Sequence, residues 1–261
     1  MRIGFSIEPT EPQEEKPAVS LPISEARAAV RSLVQVRFED DGRALTYYND
    51  LFALSPGDRV FVSGKLAGKP GTVESVTTRF KINLANYEKV ISLASMEVAG
   101  TYERIIDKMV SYDPNAVSPA RFRSWCRAPR PEDEEFVFGD GYELDLSDIT
   151  ASADIDKAVF DRAIDYCRNG NVAYLSISGG IGTAFVKGTE WYEVNFRYDD
   201  GMLIEMYCEC PYPGLCKHLL AVAITLEALA KNGLDMEKDF VMVDDAYFWR
   251  FVSKSVKKIT L

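Results

Sequence analysis

The sequence predicts an α+β protein: a small N-terminal β-barrel, a helical connector, and a C-terminal module of β-hairpins followed by a helix. Three observations predict it. Between about Leu33 and Val98, short alternating apolar runs are broken by Gly and Pro, the pattern of short strands joined by tight turns. After residue 154 a segment of helical spacing gives way to four strand-like runs and then to a second helical run. Between these regions lie a stretch of helical spacing and a Pro- and Glu-rich boundary.

Taken in order, residues 1–20 run from Glu8-Pro9 to Lys16-Pro17 with almost no apolar pattern, which reads as a flexible lead-in. Residues 21–100 hold the expected barrel. Val34, Val36 and Phe38 alternate, Asp40-Asp41-Gly42 marks a turn, and Leu45, Tyr47 and Tyr48 resume. Ser55-Pro56-Gly57-Asp58 then turns the chain into Val60-Phe61-Val62, and Gly64, Gly68 and Gly71 precede Thr72 to Val76. Residues 101–153 form the expected helical connector and acidic linker. Tyr102, Ile105, Ile106, Met109 and Val110 have helical spacing over 101–111, and Pro129 and Pro131 lead into Glu132-Asp133-Glu134-Glu135.

Residues 154–233 form the next unit. Ile155, Val159, Ala163, Ile164 and Tyr166 predict an amphipathic helix ending near Asn169-Gly170. Val172–Ile177, Thr183–Lys187, Trp191–Tyr198 and Met202–Tyr207 read as successive strands, and a helix is expected from Lys217 to Lys231, stopped by Asn232-Gly233. Residues 234–261 are expected to end in one more helix, Ala246 to Lys257.

Composition narrows the chemistry. With 261 residues, 47% of them hydrophobic, the chain can bury the cores of two domains. No apolar run approaches the roughly 20 residues of a membrane span, and the start carries no signal-peptide core, so no membrane role and a cytoplasmic location are expected. Five cysteines, three of them within nine residues, fit reduced thiols with one metal cluster better than a disulfide framework. A formal charge of −10 is the opposite of what phosphate binding asks for.

The chemistry concentrates at Cys208-Glu209-Cys210 and Cys216-Lys217-His218, a Cys-x-Cys-x5-Cys-x-His set. Zinc favours four such ligands in a tetrahedron. Residues two apart on an extended strand point the same way, so Cys208 and Cys210 can face a metal together while Glu209 points away. On a helix, residues two apart diverge by about 200°. Cys216 is therefore expected just before the helix and His218 in its first turn, with Pro211-Tyr212-Pro213-Gly214 bringing the two pairs together. The competing reading is three buried thiols and a core histidine. Against it, the chain's single histidine stands two residues from a cysteine and close behind a Cys-x-Cys pair. One structural Zn2+ is expected.

This set resembles the SWIM zinc finger. Val186-Lys187-Gly188 before Tyr192-Glu193-Val194 is similar to the family's strand lead-in, and Cys216-Lys217-His218-Leu219-Leu220-Ala221-Val222 to its helix start. The likeness spans roughly residues 156–231. It implies a non-enzymatic module for binding protein or DNA, of a kind found in proteins associated with helicase-like ATPases. The run from Tyr47 to Val73 also resembles the small β domain at the front of replication-restart helicases, and other SH3-like barrels.

Charge favours a protein partner. Between Gly170 and Gly233 stand four basic and seven acidic residues; between Gly57 and Val110, eight basic and six acidic. DNA is the alternative partner, gripped through the barrel and the Arg121–Arg130 stretch, where Arg121, Arg123, Arg127 and Arg130 interleave with Phe122 and Trp125. The acidic run beside it can neutralise that stretch, and both aromatics can simply be buried. Catalysis is not expected. Four protein ligands close the metal, no second histidine remains, and Gly179-Gly180-Ile181-Gly182 lacks both the P-loop lysine and the dinucleotide spacing. Cys126 and Cys167 are expected to be buried structural thiols.

Overall fold

The structure, a computed structural model, describes residues 31–248 apart from 40–41, 82, 95–101, 107, 114–115, 135–136, 140–141 and 151–154. The lead-in assigned to residues 1–20 lies outside the described residues, as does the expected helix beyond Phe248.

Two antiparallel sheets and a few helices make up a mixed α/β architecture. The first sheet comprises β1 (Ser32–Phe38), β2 (Ala44–Asn49), β3 (Arg59–Val62), β4 (Pro70–Thr77) and β5 (Val90–Ala94), in the order β2-β1-β4-β3-β5. β1 alternates cleanly, with Val34, Val36 and Phe38 buried and Gln35 and Arg37 exposed, as a strand with one solvated face must. Val60, Val62, Val73 and Val90 complete this core. A bridge from Tyr48 to Lys89, with Tyr48 N–H donating to Glu88 O at 2.8 Å, links β2 to the start of β5. The turn read at Ser55–Asp58 is locked twice, by Asp58 N–H to Ser55 O (3.1 Å) and Ser55 N–H to Asp58 Oδ2 (2.7 Å).

The second sheet has eight strands: β6 (Tyr102–Ile106), β7 (Met109–Tyr112), β8 (Leu144–Asp145), β9 (Val172–Ser178), β10 (Ile181–Lys187), β11 (Trp191–Asp199), β12 (Met202–Cys208) and β13 (Phe240–Asp244). Their order is β6-β7-β13-β9-β10-β11-β12-β8. Helices α2 (Lys157–Arg168) and α3 (Lys217–Lys231) share a core with Leu175, Ile177, Ala184 and Val194. Helix α1 (Pro119–Cys126) shares another with Tyr174 and Phe185, which also takes in Phe61 and Ala94 of the first sheet. Apolar cover on both faces explains why β9 is buried at six consecutive positions instead of alternating.

Local chemistry sets the ends. The Gly179-Gly180 pair, both at positive φ, forms the two-residue turn of the β9–β10 hairpin. Asp156 Oδ1 caps α2 by accepting Val159 N–H at 3.0 Å. Helix α3 stops at Gly233 (φ 90°), with Leu234 N–H returning to Leu229 O at 3.1 Å.

Two sequence expectations are corrected. Where a helix was expected over 101–111, the described residues instead form β6 and β7, paired with each other, and β7 pairs with β13 through Val110↔Val243 and Tyr112↔Val241. The apolar spacing fits either period over so short a run, and the free edge of β13 decides between them. Of the helix expected from Ala246, the described residues contain one turn, α4 (Asp245–Tyr247), and it is preceded by β13, which the sequence reading lacks.

Asp244 ends β13 only 4% exposed, accepting Ala246 N–H at 3.0 Å. Burial raises its pKa to about 6, against the smaller pull of those amides and of Lys108. A carboxyl raised in the folded state favours folding when protonated, so this contribution is lost as pH climbs from about 4 to about 6. Asp244→Asn keeps an acceptor for the cap. Thermal melts should show it gaining roughly 1–2 kcal/mol over the parent at pH 7 and nothing at pH 4; an equal effect at both values would contradict the assignment.

Candidate metal centre

Strand β12 ends on Cys208, and Cys210 follows it in a bend. Cys216 is the N-cap of α3, its Sγ accepting Leu219 N–H at 3.4 Å, and His218 lies in the first helical turn. These are the positions that the spacing requires. The donor atoms of Cys208, Cys210, Cys216 and His218 all fall within 4.8 Å of one another.

The donors fit one zinc ion. Cys208 Sγ stands 3.7 Å from His218 Nδ1, and a tetrahedron with zinc–sulfur near 2.3 Å and zinc–nitrogen near 2.0 Å puts sulfur and nitrogen about 3.5 Å apart. The thiols also perturb one another as a shared charge site does. Hydrogen bonding with Cys208 pulls the Cys216 thiol well down despite burial, helped by His218 and by Leu219 N–H. The same contact, with burial, pushes Cys208 well up, and burial raises Cys210. Three thiolates cannot share this space without a cation. The positive end of α3 suits the one net negative charge that remains on a Cys3His zinc cluster.

The strand lead-in cradles the histidine. The Tyr192 ring stacks on His218 at 4.5 Å between centroids and 20° between planes, and Tyr166 closes from 5.4 Å. A Cβ at Gly188 would lie 2.9 Å from the Tyr192 ring and 3.3 Å from His218 Nε2, so only glycine lets the backbone come this close. Nε2 is buried with no hydrogen-bond partner among the described residues. Ring packing, not a carboxylate behind it, fixes this imidazole.

Glu209 points away from the ligands, as expected, and has a task that the sequence did not reveal. Its carboxylate accepts Glu193 N–H (3.1 Å), Arg127 Nη2 (3.1 Å) and Arg130 Nη2 (3.1 Å). Arg123 grips Glu193 in a fork, Nε to Oε2 at 2.7 Å and Nη2 to Oε1 at 2.6 Å. Arg127 Nη2 reaches Glu193 at 3.3 Å, and its Nη1 lies 2.8 Å from Asp133 Oδ1. The metal turn is thus tied to α1 by a network of charges. Phe122 and Trp125 are fully buried. From the acidic run beside the arginines, Asp133 pairs with Arg123 and Arg127 and Glu132 with Arg130; Glu193 and Glu209, distant in sequence, add to this.

The two remaining cysteines are free thiols. Cys126 is buried; Cys167 is half-buried, donating to Ala221 O at 3.2 Å. Burial raises both.

Residues 203–227 match the family model of the SWIM zinc finger, which spans all four ligands. This segment is thus similar to that family in sequence and carries its Cys3His cluster in three dimensions. No curated protein and no solved structure matches the chain. Among the described residues no helix is long and apolar enough to cross a membrane.

Proposed function

We propose that the chain is a non-enzymatic zinc-binding adaptor whose zinc module presents a surface to a protein partner, within an assembly of the kind built on helicase-like ATPases. The observation that carries this reading is the fate of the arginines. Arg123 and Arg127, about nine-tenths buried, are committed to Glu193, Glu209 and Asp133, so two of the four arginines of the stretch that looked fit to hold nucleic acid are engaged inside the fold. Four protein ligands leave the zinc no open position for water or substrate. At the apex of the metal turn Tyr212 is 51% exposed beside Pro211 and Pro213, the kind of aromatic that anchors protein interfaces.

The test pairs two measurements on the intact protein. Affinity capture from its own cells should recover a protein partner that Tyr212→Ala releases. Gel shifts at about 0.15 M salt should show no retention of duplex or single-stranded DNA, since screening confines surface attraction to about 8 Å. Micromolar DNA binding that Arg130→Glu weakens would replace this reading with a nucleic-acid-binding one. Arg130 is the useful probe because it is 42% exposed, whereas substituting Arg123 or Arg127 would disturb the fold.

A further inference from the structure

Beside the metal centre a half-open cleft of about 200 Å³ lies between α2, β11 and the metal turn. It falls short of the roughly 300–1,000 Å³ of small-molecule sites and holds about one or two side chains. Its floor is buried: Val159 of α2 and the ligand residues Cys216 and His218. The surface it offers lies above that floor. Arg162 of α2 is exposed, Tyr192 and Lys217 are half-buried, and Pro211 and Tyr212 stand exposed at the lip. A visiting segment therefore meets two cations, two aromatic rings and a proline.

Both cations are uncommitted. Arg162 Nε donates to Ala158 O of its own helix at 2.9 Å, and among the described residues its two Nη groups have no partner. Lys217 Nζ lies 4.8 Å from the centre of the Tyr166 ring, a contact that leaves its N–H groups free to donate. Other basic residues of the module are answered, Arg197 by Glu205 and Lys231 by Glu227. No carboxylate lines the cleft. Asp161 and Asp165 are exposed on the same helix, yet among the described residues neither pairs with Arg162 or Lys217. The zinc cluster's single negative charge offsets one cation and leaves the other over. The chain's charge of −10 is screened beyond about 8 Å at 0.15 M salt, so the local cations decide what binds here.

We propose that the adaptor's partner docks in this cleft with a short acidic segment, its apolar side chain seated against Tyr192 and Tyr212 and its flanking carboxylates accepting from Arg162 and Lys217. This names the partner chemistry for the Tyr212 surface and rests on that reading. A nucleic-acid strand fits worse. To bind by phosphate pairing it would run past the two cations onto a module with four basic and seven acidic residues between Gly170 and Gly233.

A random dodecapeptide display library, selected on the full-length, zinc-loaded chain, tests it. Enriched peptides should carry Asp or Glu beside an apolar residue. The most enriched one, made synthetically, should bind one site per chain in calorimetric titration, and Tyr212→Ala should weaken it. Arg162→Glu with Lys217→Glu should weaken it about tenfold or more, as two exposed ion pairs turned into repulsions would. Lys231→Glu with Lys238→Glu changes the net charge equally at a distance and should alter affinity by less than about twofold. Zinc content and melting temperature should stay parental in all of these. Arg162→Glu alone, away from the ligands on exposed helix surface, should still cost about threefold, so the test survives if Lys217→Glu disturbs the metal. Enriched peptides without acidic residues, released by Tyr212→Ala but indifferent to Arg162→Glu and Lys217→Glu, would overturn the acidic partner and leave the adaptor reading standing. Failure of the adaptor reading shows elsewhere, as affinity capture that recovers no protein released by Tyr212→Ala. Enrichment of no peptide would overturn the proposal. So would self-association of the chain abolished by Arg162→Glu, or a labelled DNA strand bound more tightly than the peptide through the same two cations.

Discussion

Cys216→Ser should reduce the zinc content from about one ion per chain to near zero and destabilise the protein by more than about 4–5 kcal/mol, the scale reserved for lost metals and broken cores. Zinc-finger peptides derive about 10–16 kcal/mol from their metal because they have almost nothing else to fold around. Here α3 carries Leu219, Leu220, Val222, Leu226 and Leu229 into a large apolar core that extends well beyond the metal site. The loss should therefore begin locally. Cys216 contributes a ligand, the N-cap of α3 and an acceptor for Leu219 N–H, so hydrogen exchange should quicken first over residues 208–220 and last in β1 to β5. Elemental analysis of the parent showing no metal would sink the zinc assignment. Unchanged exchange over 208–220 in the variant would show that the cluster adds nothing to the fold.

Glu193→Ala should cost about 3–5 kcal/mol, the usual penalty for stranding buried partners of opposite charge. Glu193 is 5% exposed and faces both Arg123 and Arg127; removing it leaves two guanidinium groups crowded together with only Asp133 and Glu209 to answer them. The informative comparison is a double-mutant cycle. Arg123→Met with Glu193→Leu removes the forked pair entirely and should cost clearly less than the sum of the two single changes. Urea titration measures all four proteins. Additive effects would mean that the fork is incidental, and a loss under about 1 kcal/mol for Glu193→Ala would mean that it is solvated like an ordinary surface pair.

How much of this was legible in the sequence follows from how local each feature is. The metal cluster was, because four ligands within eleven residues leave few geometries and the helix period separates Cys216 from His218 unambiguously. Strands β9 to β12 were legible for the same reason, each hairpin being closed by its own turn. The first sheet showed its strands through alternation, since one face of β1 is wet. What could not be read depends on partners remote in the chain. The spacing of Ile105, Ile106, Met109 and Val110 is compatible with a helix, and only an edge supplied from residues 240–244 makes it a pair of strands. The neutralising of Arg123 and Arg127 by Glu193 and Glu209 spans 66 to 82 positions; a reading confined to neighbours finds only the acidic run at 132–135. Gly188 and Tyr192 were visible as a likeness to a family pattern, but their physical reason, the close wall around the His218 ring, needs three dimensions.

The place of β13 has a consequence for how the protein can be made and cut. It is the last strand synthesised among those described, yet it lies in the middle of its sheet, between β7 and β9. Until it arrives, β7 and β9 both expose unsatisfied backbone groups, and the pairing of residues 109–112 with 241–244 closes a loop of more than 120 residues. Such high contact order slows folding and prolongs exposure to other chains. A fragment of residues 154–233, though it holds every zinc ligand, would carry β9 as a bare apolar edge, a template for aggregation. Expression trials that retain residues 102–248 should yield soluble protein where the shorter piece precipitates.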